Sequence, residues 1–94
     1  MDDRTTAVAE VLHDAAETHH LVWKIVDGND PDWASWYSEW LLGLSKLPEL
    51  LGAAPVRSVL TWMLVELDRD YRAAAPDERW EDVYAERIIR ELSA

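Results

Sequence analysis

Three histidines and the carboxylates near them are the side chains of this chain whose type and spacing could do chemistry. Glu10 precedes His13 by three positions, and Glu17 precedes His20 by the same interval. Glu-x-x-His places a carboxylate and an imidazole on one face of a helix and is the ligand unit of di-metal carboxylate bundles. Two copies in successive turns make a stripe about 80° wide. That stripe points away from the apolar side of its helix. A metal bound by Glu10, His13, Glu17 and His20 would therefore need further ligands from another helix or a second subunit. The competing reading is a solvated face, the ordinary fate of Glu and His on an exposed helix.

His19 falls elsewhere. Advanced by about 100° per residue, it lands inside the apolar stripe, between Leu12, Ala15, Trp23 and Val26. An imidazole there must be hydrogen-bonded or it costs free energy. Either it is a satisfied core histidine, or it lines a pocket walled by Trp23, Trp33 and Trp36, with Tyr37 as a second polar group.

The turn from Asp27 to Asp32 gathers carboxylates without the spacing of a calcium loop. Such a loop needs Asp or Asn at its fifth place, glycine at the sixth and glutamate at the twelfth. Counted from Asp27, those places hold Pro31, Asp32 and Ser38. A turn and a helix cap account for these acids, and their charge opposes a phosphate at the same helix end. Ser35, Ser38, Ser45 and Ser58 sit in no nucleophile elbow, and three glycines form no phosphate loop. No catalytic residue is assigned and no cofactor is expected, so the reading leans away from an enzyme.

The elements that must hold these residues are helical throughout. Residues 5–26 carry Val8, Val11, Leu12, Ala15, Val22, Trp23 and Val26 on one side, with Gly28 as the stop. Asp30 and Pro31 suit the start of a second helix. In it Trp33, Trp36, Tyr37, Trp40, Leu41 and Leu44 form the inner stripe, and Ser35, Ser38 and Glu39 the back, with Gly43 weakening its end. Leu47 to Gly52 reads as a short helical turn. A third long helix runs from Pro55 to about Ala73, with Val56, Val59, Leu60, Met63, Leu64, Leu67 and Tyr71 inward. A fourth turns Trp80, Tyr84, Ala85, Ile88 and Leu92 inward. The expected fold is all-α: a single domain over residues 1–94, a compact bundle of four main helices plus one short helical turn.

Six tryptophans in 94 residues is a high count, and most sit at core spacing. Trp62 does not. It lies with Val65 on the back of the third long helix, and Arg69 follows. Tryptophan beside arginine on a polar face has the composition of a contact hot spot. Leu21 and Ile25 form a second surplus apolar spot, on the first helix. Two such spots on a small chain suggest a homodimer or a docked protein partner.

Charge narrows the partners. Nineteen acidic against nine basic residues give a net charge of −10. Such a surface repels nucleic acid and anionic membranes, while it suits a basic protein, a cation, or mimicry of nucleic acid. Without cysteine there is no disulfide or zinc–thiolate site. No apolar run suggests a signal peptide or a membrane span, so a cytoplasmic protein is expected.

His19-His20-Leu21-Val22-Trp23, followed by Asp27-Gly28-Asn29-Asp30-Pro31-Asp32-Trp33-Ala34-Ser35-Trp36-Tyr37, resembles a group of small bacterial helical proteins. They pair a double histidine with Asp-Pro-Asp-Trp-x-x-Trp-Tyr. The likeness extends through Leu47-Pro48-Glu49-Leu50-Leu51-Gly52 and covers roughly residues 19–52. It implies a bacterial origin and a small helical domain, and it draws attention to His19, His20, Asp30, Asp32, Trp33, Trp36 and Tyr37. It carries over no catalytic role. The leading functional expectation is an acidic interaction module that dimerises or docks on another protein. The alternatives are the tryptophan-walled pocket at His19 and the metal site shared across a dimer.

Overall fold

The apolar stripe that begins at Val8 winds into α1 (Asp3–Val26), with Asp3 at the positive end of the helix dipole. The remaining elements are α2 (Trp33–Gly43), α3 (Leu47–Leu51), α4 (Arg57–Ala74) and α5 (Trp80–Leu92). The computed structural model of the chain describes residues 3–26 and 32–94, with side chains for 3–21 and 32–94. Among these residues there is no strand, and the fold is an all-α bundle of four longer helices and one short one. The roles expected of Asp27, Asp30 and Pro31, and of the side chains of Val22, Trp23, Ile25 and Val26, lie outside the described residues; Asp32, the last acid of the turn, is the N-cap residue of α2.

α1 packs most extensively on α5, and α2 on α4. Between these pairs lies a leucine-rich core in which Leu12, Leu41, Leu47, Leu51, Leu60, Leu64 and Ile88 are all fully or almost fully buried. Each such side chain contributes about 1.5–3 kcal/mol by leaving water. The short α3 is held from both chain ends. Arg4 Nε donates to the Leu50 carbonyl at 2.7 Å, and the Ala94 amide donates to the Leu51 carbonyl at 3.0 Å. Gly52 ends α3 at φ +71°, a left-handed conformation that an L side chain would strain, so the glycine is required by its backbone.

Two sequence expectations fail in α2. The buried line is Ala34, Ser38 and Leu41, while Trp33, Trp36, Tyr37 and Trp40 are half-buried and Leu44 is 77% exposed. On a helical projection the aromatic stripe is displaced by about 110° from the buried line. The reason is steric: two helices approach closely only where side chains are small, so Ala34 and Ser38 take the contact with α4 and the indoles spread to its sides. Ser38 is satisfied there. Its hydroxyl donates to the Ala34 carbonyl at 2.9 Å and accepts from the Thr61 hydroxyl at 2.8 Å. Leu44 is exposed because it follows Gly43 as the C-cap and is no longer on the helical face.

α4 buries Leu60, Met63, Leu64 and Leu67, but Val56 and Val59, expected inside, are 65% and 42% exposed. Val56 is the N-cap and has an extended backbone, so a helical projection misplaces it. Val59 lies about 90° from the centre of the buried line, at the margin of the contact. α5 turns Tyr84, Ala85 and Ile88 inward as expected, and Glu81 is buried beside them.

Candidate functional site: an aromatic cleft beside His19

The rotation of α2 that buries Ala34 also gives its aromatic rings another surface to cover. Trp33 and Tyr37 meet nearly edge to face, with centroids 5.8 Å apart and planes at 86°. From α1, the His19 ring comes within 5.1 Å of Tyr37 and 4.9 Å of Trp36. In a second aromatic group, Tyr84 of α5 lies 5.1 Å from Trp80 at 73° and 6.2 Å from Tyr71 of α4 at 80°. Trp33, Tyr37 and His19, together with Tyr71, Trp80 and Tyr84, line a cleft of about 430 Å³. Leu64, Asp68 and Arg72 of α4 complete its lining. That volume is in the range that takes a small organic molecule.

The polar groups of the cleft are few and held in place. The Tyr71 hydroxyl donates to the Glu78 carbonyl at 2.6 Å, which pins the ring against the segment leading into α5. Arg72 Nε donates to Asp68 Oδ1 at 3.0 Å, one helical turn back. Burial pushes the Tyr37 phenol above its ordinary range, and it pushes Tyr84 up further, aided by the nearby Asp68 charge. Both phenols therefore stay neutral. Aromatic walls, neutral hydroxyls and one carboxylate can bind and orient a ligand.

The pocket expected at His19 is thus present as geometry, with Trp33 and Tyr37 in its wall. Trp36 touches the His19 ring from behind without lining the cleft. Trp23 lies outside the described side chains. The second aromatic group was read from sequence as core alone. Tyr71, Trp80 and Tyr84 do lie at core spacing, but rings of this size overfill a helix contact and leave a concavity. The available signal was Trp80 and Tyr84 one turn apart on α5, with Tyr71 beside Asp68 and Arg72 on α4.

The Glu-x-x-His stripe divides. His13 Nδ1 lies 3.1 Å from Glu81 Oε2 of α5, and His13 Nε2 lies 2.9 Å from Glu17 Oε1. The hydrogen bond to Glu81, then that to Glu17, raises the His13 pKa above the ordinary imidazole value. When protonated, it sets a positive charge beside the nearly buried Glu81 carboxylate. Glu10 and His20 remain exposed, and no group of three or more potential metal ligands forms among the described residues.

Of the expected contact residues, Leu21 is 64% exposed, Trp62 57% and Val65 48%. Arg69 is exposed, paired with Glu66 and 3.8 Å from Asp70. Ile25 lies outside the described side chains. No helix among the described residues is long and apolar enough to cross a membrane. Compared with protein-family models, curated proteins and solved structures, the chain matches none.

Proposed function

We propose that this chain is a small-ligand-binding helical protein whose site is the aromatic cleft between α1, α2, α4 and α5. The observation that carries the reading is a cleft of about 430 Å³ lined by aromatic rings, with a carboxylate among them. Four helices supply those rings, so the arrangement belongs to the tertiary fold and not to one amphipathic stripe. A bacterial source, on the resemblance of residues 19–52, and a cytoplasmic setting belong to the same proposal.

Thermal unfolding with a panel of small cations, neutral aromatics and carboxylates tests it. A ligand present at about 100 times its Kd adds about 2.7 kcal/mol of stability, which a small domain shows as a rise of several degrees in Tm. The rise should vanish in Trp33→Leu and persist in Trp62→Ala. A panel that stabilises neither protein, or that stabilises Trp33→Leu as well as the unmodified chain, contradicts the reading.

A second reading is favoured by a separate observation. Trp62 and Val65 stand out from α4 about 150° from its buried line, and Trp62 is 57% exposed. We propose this face, with Arg69, as the contact for a second copy or a protein partner. It is compatible with a ligand in the cleft, because Trp62 stands about 120–180° around α4 from the cleft-lining Leu64, Asp68 and Tyr71.

A further inference from the structure

From the cleft reading above, we infer that the ligand is a small alkylated ammonium, held among the aromatic rings of Trp33, Tyr71 and Trp80 and by the charge of Asp68. The rings in the walls do not stack: neighbouring planes meet at 86°, 80° and 73°. Neighbouring rings set nearly at right angles give the lining surfaces in several directions, which a compact, rounded ligand meets better than a flat one stacked on a single plane. An aromatic ring carries negative potential on its face, and a cation with little hydration to lose gains by lying over any such face within reach.

Charge agrees with shape. Asp68 contributes a carboxylate to the lining, and its partner Arg72 is 79% exposed at the side chain against 32% for Asp68. An exposed ion pair of this kind is weak, so an incoming cation can share Asp68 while Arg72 swings into water. The net charge of −10 draws cations toward the chain and repels anions. Arg72 alone would suit an anionic ligand, but it stands within a turn of Asp68 and Asp70 and is already hydrogen-bonded to the former.

The test is a tryptophan-fluorescence titration of the full chain at constant ionic strength, with choline and with its neutral isostere 3,3-dimethylbutan-1-ol. The expected result is a saturable change with choline and at least tenfold weaker binding of the alcohol. Asp68→Asn should weaken choline at least fivefold and leave the alcohol unchanged. Trp33→Leu should weaken both. Equal affinity for choline and the alcohol overturns the inference and leaves the cleft reading intact, because the site then senses only shape and apolarity. Binding of a neutral aromatic or a carboxylate from the thermal panel, with none of choline, also overturns it. If no member of the panel binds either, the cleft reading falls with it.

Discussion

Glu81 is an acid at an inward position of α5, and the price of that burial is offset by His13. The folded His13 pKa is raised, so its favourable interaction is complete below the ordinary imidazole range near about 6.5 and is lost as the pH climbs through the raised value. Urea unfolding of the wild type and His13→Gln should therefore diverge most in mildly acidic solution and converge as the pH rises past the raised value. A difference that does not change with pH would mean that His13 acts by packing alone. Ser38 is a second inward polar residue, and space decides its effect. Ser38→Leu forces a larger side chain into the α2–α4 contact and should cost about 1–3 kcal/mol or more in denaturant unfolding. Ser38→Ala should cost less.

Within the helices, most boundaries were legible because punctuation in the chain is strong. Gly43 closes α2, Pro48 and Gly52 bracket α3, and the break after Ala74 separates α4 from α5. The facing of α2 was not legible. Hydrophobic periodicity weighs a tryptophan above an alanine, whereas the helix contact selects Ala34 and Ser38 because they are small. Leu44, Val56 and Val59 failed for a related reason: a projection treats every residue as mid-helix and ignores caps and margins. Substituting Leu44 by Gln should therefore change stability by no more than about 0.5 kcal/mol, although its sequence position reads as core. Leu41→Ala, at a fully buried site, should cost about 2–5 kcal/mol. Ala75 ends α4 with φ +45°, a left-handed backbone without a glycine. Ala75→Gly should raise stability by about 0.5–1 kcal/mol, and an unchanged or lower Tm would show that the cap is not strained.

At the scale of the whole molecule, the same surplus of large aromatics has two consequences. Trp33, Tyr71, Trp80 and Tyr84 are too bulky to interlock fully, so the bundle keeps a cleft where they converge. Among the described residues no helix covers Trp62 and Val65, which are exposed on α4. Half of the cleft could be read from sequence, since His19, Trp33 and Tyr37 lie close together along the chain. The other half depends on how α4 and α5 close over them, which local spacing does not encode. The decisive measurement follows the indole N–H signals by NMR while the ligand panel is titrated. A cleft that binds predicts that the Trp33 and Trp80 signals shift together and saturate at one concentration while Trp62 stays still. Movement of Trp62 alone, or shifts at Trp33 and Trp80 that never saturate, would contradict it.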